Sequence, residues 1–558
     1  MSSLVTPEFQ QYRAPQQNES ATVIPPQLEL VDRLKRIEAG EVTASPPLQF
    51  CGKSWEVARL QARREAIDLA MAFTAAYREL PETVAKLSER SDGKLPAIVM
   101  SGHQPELFHA GVWFKNFLIS QVACQAGAIA INFLVDNDLC RNAAIRVPSM
   151  AANGSVIAQS IAFDTQRDGI PWELRRLNSR DTWDSFPQRV LESLLPRSYT
   201  PLLSEIWPQA IDAVRRSDRL GLAIAEARHK LEEQIGLQTL EIPSSSLVNT
   251  RAFARFSIQL LSELPRFQAV YNHQLANYRA AHHIRNHAHP VPALEQSSGW
   301  LEAPWWIYRT AAPQRQKLWV RLQNDQLLLS DRAGWQAVIE GRLDCDNAAS
   351  QWMDFQSDGV CLRPRALLTT MYMRMFISDL FVHGIGGGKY DQLTDAIMSE
   401  FFGVQPPLMA VATATMRLPI ASPLAAAGDS ATTENELRRE RESAWQLKFH
   451  ADQLPANHVD AEYHPSATAA EIQALITRKQ VLLANIPARG EKWEWHREIT
   501  AVNKRLSELA APQLNESRAK IDRLNSIERQ QRVLESREFS FSLFPRDLLA
   551  TALHRLSK

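Results

Sequence analysis

The sequence predicts an α/β fold: a parallel-sheet core interrupted by a small inserted domain and followed by a C-terminal helical segment. Three observations predict it. Apolar runs alternate with helical patterns between residues 96 and 135, and the same alternation returns at 359–416. From about 431 onward the chain is charged, apolar at helical spacing, and has glycine only at Gly490.

Taken in order, residues 1–45 are rich in Pro, Gln and Ser and predict an extended N-terminal arm, partly disordered, with Pro25-Pro26 breaking any helix. The first part of the core spans 46–264. Val57, Leu60, Ile67 and Met71 fall at helical spacing and predict a helix over 54–90. Pro96-Ala97-Ile98-Val99-Met100 predicts a buried strand, ending in Ser101-Gly102-His103-Gln104-Pro105. A helical pattern runs from Val112 through Val122, a second apolar run occupies 128–135, and Asp136-Asn137-Asp138 follows. Strand, polar turn, helix, strand and acidic turn make the βαβ pattern of a parallel sheet, whose ligands gather at the carboxyl ends of the strands. A further strand is expected at 156–163 and helices over 190–238 and 250–264, with Leu240-Glu241-Ile242 leading into Pro243-Ser244-Ser245-Ser246 between them.

Residues 265–345 predict the inserted domain, with strands at 305–308 and 317–322 and an Asn324-Asp325 hairpin turn. The second part of the core, 346–430, holds a helix at 366–380, a glycine-rich loop at 382–389, a helix through Phe402 and an apolar run at 408–412. In the C-terminal segment, 431–558, Thr433 and Glu436 have capping-box spacing, and Ile521, Leu524, Ile527 and Leu534 form a partial seam. Pro487 and Pro512 split it, so an antiparallel helical arm or an interrupted coiled coil is expected.

Composition narrows the function classes. The 62 Lys and Arg balance 62 Asp and Glu, so attraction to nucleic acid or an anionic membrane is not built into the molecule. No apolar run nears the roughly 20 residues that span a bilayer, and the N-terminus lacks a signal-peptide layout. Five widely spaced cysteines without a C-x-x-C pair read as reduced thiols of a cytoplasmic protein. Cys140 reads as a packed thiol rather than a nucleophile. The histidines 282, 283, 287 and 289 lack the spacing of a zinc site, and no metal site is expected. Trp305-Trp306 reads as packing.

Three loops carry the candidate chemistry. Gly102, His103, Gln104 and His109 precede a helix whose free N–H groups favour an anion, although the same residues suit a plain capped helix. Asp136 and Asp138 follow the second strand, where carboxylates bind a substrate amine, a hydroxyl or Mg²⁺; Asp and Asn also favour turns there. Gly386, Gly387, Gly388 and Lys389 match neither a P-loop nor G-x-G-x-x-G. Consecutive glycines still let a backbone approach a phosphate, with Lys389 as its contact; the alternative is a flexible connection with Lys389 solvated.

Two segments resemble the cysteine-adding enzymes of bacillithiol biosynthesis, the BshC family. Residues 101–111 resemble that family's Gly-Gln-Gln-x-Gly-Leu-x-Thr-Gly loop. The stretch from Arg363-Pro364 through 381–390 to Phe402-Gly403 and Pro406-Pro407 resembles its Arg-Pro…Gly-Pro-Gly-Glu…Gly…Met-Pro stretch. Asp136 and Asp138 fall where the family has Glu-Asp-His-Asp. His103 replaces a Gln, Glu106 a Gly, His109-Ala110 the Thr-Gly pair, and Lys389 the acidic end of Gly-Pro-Gly-Glu. The resemblance implies a Rossmann-like core, a connecting domain, a C-terminal coiled coil pairing two subunits, and attachment of cysteine to an amino-sugar conjugate with ATP activation.

The leading expectation is thus a nucleotide-dependent ligase for a small-molecule substrate. His103 and His109 would polarise a phosphate, Asp136 and Asp138 would bind metal or substrate, and Lys389 would hold phosphate or carboxylate. The alternative is a non-catalytic dimeric scaffold that keeps the fold. A nucleic-acid-binding helical arm is disfavoured by the neutral charge.

Overall fold

In the computed structural model, residues 9–41, 48–85, 95–165, 169–195, 198–420, 424, 430–449 and 466–558 are described. The ends of the expected N-terminal arm, the far end of the 54–90 helix and the stretch after residue 449 in the C-terminal segment lie outside the described residues.

The chain opens with β1 (Ser20–Ile24) and α1 (Gln27–Glu38), then a short hairpin at 49–54 and α2 (Trp55–Ala75). Next come β2 (Ile98–His103), α3 (Ala110–Ala126), β3 (Ile129–Leu134), and the β4 (Ala144–Met150)–β5 (Val156–Ala162) hairpin. Helices α4 (Leu203–Ser217) and α5 (Leu220–Gln234) lead to β6 (Thr239–Pro243), α6 (Arg251–Ser262) and α7 (Leu264–Ala281). An antiparallel unit follows: β7 (Trp300–Arg309), β8 (Ala312–Gln323), β9 (Gln326–Ser330), β10 (Gln336–Glu340), α8 (Cys345–Ser357) and β11 (Val360–Pro364). The core resumes with α9 (Ala366–Tyr372), a π turn at Met373–Ile377, β12 (Leu380–His383), α10 (Ile385–Phe402) and β13 (Met409–Thr415). Then come α11 (Ser430–Phe449), α12 (Ser466–Ala484), α13 (Lys492–Leu509), α14 (Ala511–Leu534) and α15 (Arg546–Leu556).

The main sheet has strand order β1-β13-β12-β2-β3-β6. Five strands are parallel, and β1 joins the edge antiparallel, Ser20 opposite Thr415. From β2 the chain winds outward through β3 to β6, then returns to the other side of β2 as β12 and winds out to β13. Strand order therefore reverses between β2 and β12. A crevice opens outside the carboxyl ends of strands at such a point. Side chains alternate across the sheet: Val99, Ala130 and Val382 enter one apolar layer, Met100, Ile131 and Phe381 the other. Helix α3 is buried on nearly all sides, because it lies between the sheet, α1 and α15.

Several expectations are corrected. The N-terminal region supplies an edge strand and a helix, and Pro26 stands at the start of α1 rather than preventing it. Helix α2 buries Ala62, Ala66 and Ala70, whereas Val57 and Leu60 are exposed; its small side chains give the close approach to the sheet. The 156–163 strand forms a separate hairpin with β4, outside the parallel sheet. Gly386, Gly387 and Gly388 lie in the first turn of α10, not in a loop. Thr433 sits inside α11 and does not cap it. The Asn324-Asp325 turn is present between β8 and β9, with Asn324 at φ 51°.

Cys51 and Cys345 are disulfide-bonded, which corrects the expectation of five reduced thiols; folding joins two cysteines 294 residues apart in sequence. In the C-terminal segment α11 packs on α14 and α12 on α13, with Leu524 the most buried residue of the expected seam. After α14 the chain rejoins the body, where Phe541, Leu543, Phe544, Leu549 and Leu553 enter the main apolar layer. No helix among the described residues is long and apolar enough to cross a membrane.

Candidate functional site

A cleft of about 880 Å³ opens at the carboxyl ends of β2, β3 and β12, where strand order reverses. Its opposite wall comes from β7, β8 and residues 290–292. Arg537 and Glu538 close one side where the chain returns from α14. The volume falls within the roughly 300–1,000 Å³ of small-molecule sites.

Each strand end delivers a side chain because apolar alternation stops there. At the end of β2, His103 is 5% exposed and places Nδ1 3.1 Å from the Gln104 carbonyl. Burial first, then Arg228 and Lys115, push its pKa well below the usual histidine value, so the ring is neutral. His109 caps α3: its Nδ1 accepts from the Gly111 N–H at 3.1 Å, and its Nε2 lies 3.6 Å from Glu538. Burial lowers its pKa too. At the end of β3, Asp138 accepts from Gln104 Nε2 at 3.1 Å and pairs with Arg315 at 3.0 Å.

Two helices of 17 and 18 residues, α3 and α10, start at the cleft. Gly384 at the head of α10 provides no side-chain cap, and Gly386 and Gly387 line the cleft beside it. Unpaired N–H groups at such a terminus favour an anion, by about 0.3–1 kcal/mol when exposed and up to about 2 when partly buried. Gly388 is required for packing: a Cβ there would collide with Val411 on β13.

Cations dominate the walls. Lys115, on α3, is 4% exposed and donates to the Gly102 carbonyl at 2.6 Å; burial pushes its pKa down to about 7. Arg365, which heads α9, lies 2.7 Å from Glu302 and 4.2 Å over the Trp306 ring, yet no atom of its guanidinium makes a well-directed hydrogen bond. Arg315 approaches the same ring at 5.0 Å. Arg537 holds Thr413 and Thr415 of β13.

His383, at the end of β12, also lines the cleft. Its Nε2 lies 2.9 Å from Asp391 Oδ2 on α10. Asp391 is fully buried and also bonded by Thr370 at 2.5 Å and Arg374 at 2.8 Å. Burial alone would raise this carboxyl, but the His383 ring and the Arg374 guanidinium hold it well below the usual carboxylate range.

Of the expected site residues, Gly102, His103, Gln104, His109, Asp138, Gly386 and Gly387 line this one cleft. Asp136 does not. It is 2% exposed and accepts from Ser245 through both oxygens; burial first, then Glu173, raises its pKa. Gly388 is packed away, and Lys389 is not in the lining; its carbonyl accepts from Tyr278 at 3.0 Å, and its charge acts on His282. Trp305 is core, as expected of the pair, but Trp306 faces the cleft.

Sequence reasoning missed Lys115, Arg315, Arg365, His383, Asp391 and Arg537. Two had a signal. Lys115 is the only charge in the apolar helix α3, and His383 ends an apolar run just before a glycine.

Among the described residues, His229, Glu232 and Glu241 are the grouping with metal-ligand geometry. Arg228 already bridges the two carboxylates, one through each terminal nitrogen, so the cluster is neutralised without an ion. No protein-family model matches the chain, and no curated protein matches it.

Proposed function

We propose that the protein is a nucleotide-dependent ligase of the BshC-like type, acting in the cytoplasm and joining an amino acid to a small amino-sugar conjugate. The observation that carries this reading is the convergence of two long helix N-termini with Lys115, Arg315, Arg365 and Arg537 on one cleft, at the reversal point of the sheet. Such a set suits a polyanion, and doubly wound Rossmann-like cores bind nucleotides at that point. Lys115 and the first turns of α3 and α10 would hold the phosphates of ATP. Asp138 and Glu538 are the carboxylates within reach of an accompanying Mg²⁺, which needs only one or two protein carboxylates beside phosphate oxygens. When bound, ATP supplies activation of the acid. Arg365 would take a carboxylate of the acceptor, since beside its ion pair with Glu302 none of its N–H groups makes a well-directed hydrogen bond.

Pairing of two subunits through α11–α14 belongs to the same proposal; Trp445 and Trp493 are exposed on that arm, at 54% and 70%.

Thermal unfolding with ATP, ADP and AMP, with and without Mg²⁺, tests the reading. Selective stabilisation by a nucleotide is expected, lost in Lys115→Ala and retained in Lys389→Ala. No shift with any nucleotide at millimolar concentration would assign the fold to a non-catalytic scaffold.

A further inference from the structure

The cleft holds three imidazoles, and they differ in which nitrogens are free. His109 has one nitrogen on the Gly111 N–H and the other facing Glu538. His103, as enclosed as His383 at 5% exposure, sets Nδ1 against its neighbour's carbonyl and buries Nε2 without a hydrogen-bond partner, so no carboxylate fixes its proton. His383 alone commits one nitrogen to a carboxylate and leaves the other without a hydrogen-bond partner among the described residues.

The tautomer follows from the partner. Asp391 pairs with the Arg374 guanidinium and accepts from Thr370, so as a carboxylate it can only accept from His383. Nε2 therefore carries a proton, and in the neutral ring it is Nδ1 that presents the lone pair. Room for that lone pair is kept by Gly387: a Cβ at this position would lie 2.9 Å from Nδ1. The π turn after α9 contributes too, since it carries Arg374 inward to Asp391 and Asp395.

We infer that His383 is the general base of the cleft, accepting a proton at Nδ1 from an incoming amine, and that Asp391 is the residue that positions it. The identity of the amine rests on the ligase reading; the open nitrogen does not. In that reaction the amine nitrogen attacks the carbonyl carbon of an acyl phosphate formed from the acid and ATP. The new N–C bond forms, the C–O bond to phosphate breaks, and phosphate leaves with the electron pair. The one proton released from nitrogen goes to Nδ1.

Histidine-selective acylation of the full chain with diethyl pyrocarbonate, read by peptide mass spectrometry, tests the inference. His383 is expected to label and to be protected by pyrophosphate. Asp391→Asn should slow its labelling by about tenfold while His103 and His109 keep their rates, because an amide no longer fixes the proton on Nε2. If that variant does not fold, Thr370→Val, which removes one clamp on Asp391, should slow the same site. Absence of label at His383, or labelling indifferent to a folded Asp391 or Thr370 variant, would overturn the inference. A protein that labels at His383 but binds no nucleotide loses the ligase reading and keeps the base; one that binds nucleotide but does not label loses the base alone.

Discussion

Two buried ionic clusters in this molecule have nearly the same parts. In one, Arg228 bridges Glu232 and Glu241, with His229 alongside; in the other, Arg374 bridges Asp391 and Asp395, with His383 alongside. The first is sealed. Tyr77 meets one nitrogen of His229 at 2.6 Å, Thr239 meets the other at 3.0 Å, and Trp113 and Asn116 close over Glu232. The second opens on the cleft, where one nitrogen of His383 is left for something else. Burial and charge are shared, so neither marks function. What differs is whether the last valence is used inside the protein or offered outward. The sealed cluster ties α3 and α5 to β3 and β6; the open one aims a base.

The largest expected effect that sharpens this contrast is in the sealed cluster. Arg228→Met leaves two buried carboxylates facing each other, and denaturant unfolding should show a loss of about 3–5 kcal/mol. A loss under about 1 kcal/mol would mean that the cluster is not the structural member of the pair.

Lys115 gives an intermediate effect with a definite sign. Its amine has a pKa of about 7 when folded and its ordinary value of 10.5 when unfolded. Between those values the unfolded chain holds a proton that the folded chain lacks, so stability rises with pH across the window. Below pH 7 both forms are charged and the full cost of burying the ammonium is present. Lys115→Met should therefore be more stable than the parent by about 2–4 kcal/mol below pH 7, with the gain fading towards pH 10.5. A pH-independent difference would show that Lys115 is not desolvated, and so not part of a dry anion site.

Arg365 gives the smallest change in stability. Its donors are poorly satisfied, and Glu302 keeps Lys317 at 3.0 Å as a second partner. Arg365→Met leaves one oxygen of the buried Glu302 unpaired while Lys317 keeps the other, so the unfolding free energy should fall by about 1–2 kcal/mol, less than for Arg228→Met, while pyrophosphate or carboxylate affinity, read by calorimetry, falls about tenfold. A large loss of stability with unchanged affinity would place Arg365 with the sealed cluster.

Legibility of the sequence followed the range of the interaction. The strands β2, β3 and β13 were readable because each is a short apolar run between polar turns, and His103, Gln104 and Asp138 because strand ends in a parallel sheet face ligands. Strand β12, only four residues long, instead falls across the end of the expected 366–380 helix and the start of the expected 382–389 loop. Periodicity placed Ile67 of α2 correctly but misjudged Val57 and Leu60, since it weights them over the alanine stripe that packs on the sheet. The glycines of α10 looked like a loop because glycine is a poor helix former. Here Gly387 and Gly388 are set by neighbours, the His383 ring and Val411, that local propensity does not register. The cationic walls were illegible for a similar reason: Lys115, Arg315, Arg365 and Arg537 come from four distant parts of the chain.

The antiparallel edge strand has a consequence for how the molecule is made. A ribosome delivers Ser20 long before Thr415, its partner across β1 and β13. Until β13 emerges, β1 has nothing to pair with. The apolar layer beneath α3 must wait longer still, for Phe541, Leu549 and Leu553. Much of the sheet is then synthesised before the layer on that face can be completed, and parallel strands with an exposed apolar face are slow to fold and prone to stray pairing. Nascent chains of this protein should therefore be strong clients for chaperones, and stalls that detain the last hundred or so codons should convert product into aggregate rather than into a stable fragment.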